Sequence, residues 1–146
     1  MARNDASAVV RLYLASALQR TDNSNRWAIA NQLVQRSEDA NDHNIPKMIW
    51  FGIEPIVADD PGRAIDMAAV SQLPMVTRHI GRRLVDGNKL NELVANVGRS
   101  SVTASSREQL LLGMRDGLEG QTDIDTPAGW PALFAKIGRA SCRERV

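Results

Sequence analysis

Apolar residues recur along the chain at the three- and four-residue spacing of an α-helix, with short polar breaks or prolines between the runs. In the first run, Val10, Leu14, Ala17 and Leu18 have this spacing, which places them on one helix face. Only 4% of the residues are aromatic, and the 43% that are hydrophobic are mostly Ala, Leu, Val and Ile. Such a composition favours packed helices over sheets. The chain is therefore predicted to be all-α.

Seven or eight short helices are predicted from start and stop signals. They begin after Asp5, near Asn25, at Pro46, at Pro61, at Pro74, near Leu90, after Ser105 or Ser106, and at Trp130. Pro55 interrupts the third run, and because proline lacks the N–H that a helix interior needs, that helix is expected to kink or end near Glu54. Short helices joined by short turns favour a stacked helical repeat over a four-helix bundle.

The helix phasing also predicts a core. The residues expected to be largely buried between helices are Leu14, Leu18, Leu33, Trp50, Ile65, Ile80, Leu93, Val97 and Leu111.

The last ten residues, Ile137–Val146, are interpreted as foreign to the rest of the chain. Their sequence, IGRASCRERV, matches the translation of a widely used short-read sequencing adapter. Without their three arginines and one glutamate, the formal net charge of +1 becomes −1, and the only cysteine, Cys142, is lost. We therefore expect residues 1–136 to be a fragment that is cut off where the adapter begins. Residues 137–146 are expected to project from the body or to prolong the last helix.

The stretch that begins at Asp5 resembles the second helix of a HEAT repeat, with Arg11 six residues later and alanines and a leucine at packing positions. In HEAT solenoids such an Asp and Arg tend to form a ladder between successive repeats. The strings VVRLYLASALQR, DANDHNIPKMIWFGIEPIV and TPAGWPALFAKI resemble, more particularly, the helical-repeat region of the Pirellula/Verrucomicrobium-type c-haem-binding, membrane-bound dehydrogenase-like proteins. The resemblance implies a HEAT-like α-solenoid between a β-propeller and a c-type cytochrome module, in an exported or periplasmic parent protein. It also implies that residues 1–136 are a helical-repeat segment of this larger protein, truncated at both ends.

This resemblance leads to a non-catalytic function for the chain. The haem attachment motif C-x-x-C-H is absent from the sequence, so no cofactor is expected in this segment. No signal peptide is recognisable at the N-terminus, and no apolar run approaches the roughly 20 residues of a membrane span. We expect a scaffold or spacer whose partners are neighbouring domains of the parent chain or another protein, with no nucleic acid. The alternative is a free-standing HEAT-like adaptor that binds a protein or a nucleic acid.

Asp42 and His43, just before the third helix, are the most site-like pair. Such a pair could act as a base or ligate a metal. A lone imidazole makes a poor metal site, so the favoured interpretation is that Asp42 or Asn44 caps the helix while His43 bonds across a turn. Glu54 stands in an apolar helix, where a buried carboxyl group could be functional or could accept hydrogen bonds from backbone amides. An enzyme that works through His43 and Glu54 is the least favoured function.

The fifth helix carries the one basic cluster, Arg78, His79, Arg82 and Arg83. It could form a phosphate-binding face. A solvated face, or ion pairs with Asp66 or Asp86, is favoured instead.

The three tryptophans, Trp27, Trp50 and Trp130, could stack on a ligand, but packing between helices is favoured because large aromatic side chains dominate such contacts. No catalytic, cofactor-binding or metal-binding residue is predicted. The interaction candidates are Asp42, His43, Glu54, Arg78, Arg82 and Arg83.

Overall fold

The computed structural model describes residues 6–143, with side chains described through residue 138. Within this part of the chain every regular element is helical, which confirms the all-α prediction. The helices are α1 (Ala8–Ala17), α2 (Asn23–Leu33), α3 (Ile45–Val57), α4 (Pro61–Val70), α5 (Pro74–Asp86), α6 (Leu90–Val97), α7 (Ala104–Leu118) and α8 (Trp130–Arg143). Short 3₁₀ turns, Leu18–Arg20 and Ser37–Asp39, follow α1 and α2.

Polar caps and prolines set where several helices begin, largely as predicted. The Asp60 side chain accepts a hydrogen bond from the Arg63 backbone N–H at 3.0 Å, and Pro61 opens α4. Three predicted starts are wrong by a few residues. α1 begins at Ala8, with Ser7 at the N-cap position, and not directly after Asp5. Asp22 caps α2, which begins at Asn23 instead of near Asn25. Thr103, instead of Ser105 or Ser106, caps α7, because its hydroxyl accepts from the Ser106 backbone N–H at 3.1 Å.

Pro55 does not end α3, contrary to the prediction that the helix kinks or stops near Glu54. The helix continues to Val57, with the proline ring exposed and Ile56 and Val57 buried. A proline in a helix interior costs about 3 kcal/mol. Burying an aliphatic side chain such as Ile or Val contributes about 1.5–3 kcal/mol. Packing of the final turn therefore offsets the loss of one backbone hydrogen bond.

The helices contact one another in a regular order. Each helix from α1 to α6 contacts the next one in the chain. In addition α1 contacts α3, α3 contacts α5, and α5 contacts α7, while α4 contacts α6 and α6 contacts α8. One contact reaches further along the chain, between α4 and α7. One buried apolar cluster draws side chains from each of the eight described helices. Odd-numbered helices are thus neighbours in space, and so are the even-numbered helices from α4 onward.

The predicted core is confirmed at six of its nine positions. Leu18, Leu33, Ile65, Ile80, Leu93 and Val97 are buried. Leu14, Trp50 and Leu111 are half-buried and pack against the edge of the cluster. The helical phasing read from the sequence is therefore correct over most of the chain.

The most extensive helix contact within the described residues joins α5 to α7, and three glycines make it possible. A Cβ atom on Gly113 would collide with the backbone carbonyl oxygen of Arg78, and one on Gly117 would lie 2.8 Å from Cβ of Val85. A Cβ atom on Gly81 would collide with the carbonyl oxygen of Leu110. The contacts advance in the same direction along both helices, from Gly81 with Leu110 to Val85 with Gly117. The helices α5 and α7 therefore run parallel, with their backbones in direct contact.

The segment interpreted as foreign continues α8 as far as Arg143, so it prolongs the last helix as predicted. Ile137 is half-buried against the core cluster, and Lys136 donates a hydrogen bond to the carbonyl oxygen of Gly98. Among the described residues, no helix is both long enough and apolar enough to cross a membrane.

Candidate functional site

Asp42 caps α3, which agrees with the favoured interpretation of this residue. One of its carboxylate oxygens accepts hydrogen bonds from the backbone N–H groups of Ile45 and Asn44, both at 2.8 Å. These two bonds lower the pKa of Asp42, because they stabilise its charged form. His43 is exposed beside it. Across the described residues, no three His, Cys, Asp or Glu side chains converge as metal ligands.

Glu54 forms an ion pair with Arg83, 2.7 Å from carboxylate oxygen to Nε, and thereby joins α3 to α5. Its side chain is 40% exposed, so it is not the buried carboxyl group considered from the sequence. Glu54 was expected to accept hydrogen bonds from backbone amides, but its partner is the guanidinium of Arg83 on the neighbouring helix. The nine helical steps from Ile45 to Glu54 span about 14 Å. The structure therefore does not bring His43 and Glu54 together, and it gathers no acid–base pair there.

The three arginines of the basic cluster each face a carboxylate. The Nε atom of Arg78 donates to Asp116 on α7 at 2.6 Å, Arg82 lies 3.7 Å from Asp86, and Arg83 pairs with Glu54. The hydrogen bond from Arg78 lowers the pKa of Asp116 and, reciprocally, raises the pKa of Arg78.

The predicted pairing with Asp86 is thus confirmed for Arg82. The predicted pairing with Asp66 is wrong, because Asp66 instead lies 2.5 Å from the guanidinium of Arg99. With their charges balanced locally, the clustered arginines are less available to phosphate groups.

The three tryptophans contact neighbouring side chains or the core, whereas Tyr13, Phe51 and Phe134 are exposed. Trp27 is buried in the core. The ring of Trp50 meets the ring of His79 edge-on, with centroids 5.1 Å apart, and His79 Nδ1 lies 2.7 Å from the carbonyl oxygen of Met75. Trp130 lies beside Phe134 on α8, with ring centroids 6.3 Å apart. The packing interpretation of the tryptophans therefore fits these contacts.

A buried ion pair between Arg11 and Asp39 escaped the sequence analysis. The guanidinium donates two hydrogen bonds, from Nε at 2.6 Å and from Nη2 at 2.7 Å, to the two carboxylate oxygens. Both side chains are only 3% exposed. The pair ties α1 to the 3₁₀ turn Ser37–Asp39. Asp5, the other residue of the HEAT-like spacing, lies outside the described residues.

The Arg11–Asp39 pair also explains why α1 is rotated from its predicted phase. Its buried face carries Arg11 and Ala15, while Val10, predicted to face inward, is 38% exposed. An arginine that forms two charge-assisted hydrogen bonds can occupy a buried position that periodicity assigns to apolar residues.

Two of the open pockets between the described helices have a mainly apolar lining. One, of about 480 Å³, lies between α2 and α4 over Trp27, Met67 and Val70, with Asn31 and Arg63 among its polar lining. The other, of about 230 Å³, lies between α6, α7 and the segment before α8. Neither brings together a nucleophile, a base and an oxyanion donor, the set that an active site for acyl transfer requires.

Comparisons of the chain with family models, with curated proteins and with solved structures found no match. The resemblance to the c-haem-binding proteins therefore stays a prediction from the quoted strings.

Proposed function

We propose that this chain is a non-catalytic helical scaffold, arranged as a HEAT-like α-solenoid, within a larger exported c-type cytochrome of the dehydrogenase-like family. In this role it holds a propeller domain relative to a haem module, or presents one face to another protein. The observation that carries the proposal is the order of helix contacts, in which most described helices meet the next helix and the next but one, while α4 additionally meets α7. Contacts mainly between near neighbours in the chain are the basis of a stacked repeat.

Ion pairs between odd-numbered helices support the use of this segment as a stiff spacer. Glu54 on α3 pairs with Arg83 on α5, and Arg78 on α5 pairs with Asp116 on α7. Together with the close α5–α7 backbone contact, these pairs oppose sliding of one helix past another. A spacer needs a fixed distance between its ends, and such contacts provide it.

The chemistry of the candidate residues supports the non-catalytic part of the proposal. Asp42 caps a helix, and Glu54, Arg78, Arg82 and Arg83 are engaged in ion pairs. The haem of the parent protein would be attached elsewhere, since the sequence has no C-x-x-C-H motif. The partners of this segment would be the adjacent domains of the parent chain.

A truncation tests the stacked arrangement. In a solenoid each unit depends mainly on its neighbours, so a terminal unit can be lost without unfolding the distant ones. A chain that ends at Gly129 lacks α8, whose main helix contact is with α6. We expect amide hydrogen exchange in α1 to α5 to stay as slow as in the full chain. Rapid exchange throughout those helices would show one cooperative globule and would refute the solenoid.

Assays of the purified protein test the non-catalytic role. We expect no haem absorbance, no metal in stoichiometric amount and no dehydrogenase turnover with sugars or alcohols. Turnover that is lost on His43→Ala or Glu54→Gln would replace the scaffold with an enzyme.

Duplex DNA separates the scaffold from the nucleic-acid-binding alternative. We expect weak binding that falls steeply with salt, because the clustered arginines already face carboxylates. Tight binding at physiological salt that Arg82→Glu abolishes would favour a nucleic-acid-binding repeat.

A further inference from the structure

The pocket between α6, α7 and the segment that precedes α8 has an apolar lining with a single charge. Val94, Met114, Leu118 and Trp130 contribute apolar surface, and Asp125 is the only charged residue of the lining. Its volume of about 230 Å³ exceeds the roughly 150 Å³ of a protein cavity that holds benzene. A chain of several methylenes fits such a space.

The charges around this pocket favour a cationic occupant. The segment of residues 119–129, which forms one wall, contains Glu119, Asp123 and Asp125 but no lysine or arginine. The basic residues that flank the lining in sequence, Lys89 and Arg115, lie near Glu92 and Asp116, respectively. Asp125 is exposed, so its carboxylate can reach a ligand without a large desolvation cost.

Trp130 adds a second attraction for a cation. Its indole ring lines the pocket and is half-buried. A cation within about 6 Å of a tryptophan face is attracted by the ring quadrupole. An ammonium group between Trp130 and Asp125 would therefore keep its alkyl chain on the apolar floor, in the way that lysine side chains lie along apolar surfaces.

We infer that this pocket binds an alkyl chain that ends in an ammonium group, either a free primary alkylamine or the side chain of a lysine. The inference does not depend on the scaffold role, because it rests only on the lining and charge of the pocket.

Hexylammonium, 1-hexanol and hexanoate, three probes of the same chain length, test the inference by ¹H–¹⁵N NMR titration of the full chain at pH 7 and low salt. Of the three probes, hexylammonium should shift the NMR signals of the Trp130 indole and of the Val94 and Leu118 amides at the lowest probe concentration. Hexanoate should need the highest concentration to shift the same signals. Exposed ion pairs of this kind contribute up to about a fivefold change in affinity. Asp125→Asn should therefore weaken hexylammonium two- to fivefold and leave 1-hexanol unchanged.

Asp123→Asn is the matched control, since it removes an equal charge from the same segment but outside the lining. It should leave the hexylammonium affinity within error of the original chain. Equal binding of hexanoate and hexylammonium, an equal effect of the two Asp variants, or no shift of the pocket residues would overturn the inference.

A short peptide with one lysine between glycines distinguishes the two sources. Shifts of the same residues by the peptide indicate a protein side chain as the natural occupant, and shifts by the free amine alone indicate a small molecule.

Discussion

The close approach of α5 and α7 predicts that one added methyl group has opposite effects at two glycines. At Gly113 a Cβ atom would collide with the Arg78 carbonyl oxygen and lie 2.8 Å from the Arg82 backbone nitrogen. Both obstacles are backbone atoms of α5, so the helices must separate. Overpacking of this kind costs about 1–3 kcal/mol, and we expect the upper end because no side chain can turn aside. Alanine in a helix gains about 1 kcal/mol over glycine. Gly113→Ala should therefore lower the free energy of unfolding by about 2 kcal/mol.

Gly62 in α4 is the matched control. A Cβ atom there meets only a carboxylate oxygen of Asp60, at an ordinary 3.7 Å. Gly62→Ala should keep or raise the free energy of unfolding by up to about 1 kcal/mol. Urea unfolding followed by circular dichroism at 222 nm measures both variants against the original chain. A Gly113→Ala variant as stable as Gly62→Ala would refute the reasoning from the α5–α7 contact.

Three further predictions concern charge and the C-terminal segment. Asp39→Ala leaves the buried Arg11 without this carboxylate and should lower the free energy of unfolding in urea by about 3–5 kcal/mol. The double variant Arg11→Met, Asp39→Leu should recover most of this loss. A loss below about 1 kcal/mol for Asp39→Ala would contradict the burial of the pair. Hydrogen bonds from Asn25 and Ser24 lower the pKa of Asp22 to about 2. The stability from this cap should therefore be fully present above about pH 4 and be lost as the pH falls towards 2. An NMR titration that places this pKa near its ordinary value of 3.8 would disprove the capping bonds. Deletion of residues 137–146 should change the thermal midpoint little, since Ile137 is the only described side chain of this segment that packs on the core. A fall of many degrees would show that the segment is an integral part of the fold.

The sequence predicts most of the fold because local signals decide where these helices begin. Pro46, Pro61 and Pro74 all lie in first helical turns, and Asp60 caps the helix that it precedes. The next predicted start, near Leu90, is also correct, since α6 begins at Leu90. Such signals act within a few residues, so they can be read without knowledge of the partners that a helix meets.

The errors arise where a distant partner outweighs the local signal. Pro55 is tolerated because the residues after it pack into the core, which no local pattern reports. The phase of α1 depends on Asp39, 28 residues away from Arg11. Gly113 and Gly117 looked unremarkable as isolated helix residues, although their spacing of four, with Gly81 on another helix, permits direct backbone contact.

The candidate site shows the same division. Capping by Asp42 or Asn44 was predicted, since the side chain of such a residue before a helix accepts hydrogen bonds from backbone N–H groups only a few residues away, and Asp42 does so. The partner of Glu54 was not predicted, because Arg83 belongs to a helix whose neighbour is set by the tertiary packing. Ion pairs between helices need the order of helix contacts, and a single sequence does not provide that order.

The most direct test of the scaffold proposal is the DNA that flanks this reading frame in its source genome. We predict that the frame continues upstream into a strand-rich propeller domain and, in place of residues 137–146, downstream into a segment with a C-x-x-C-H haem motif. A frame closed by a start signal and ribosome site before Met1 and by a stop codon soon after Lys136 would contradict a scaffold role inside a larger cytochrome.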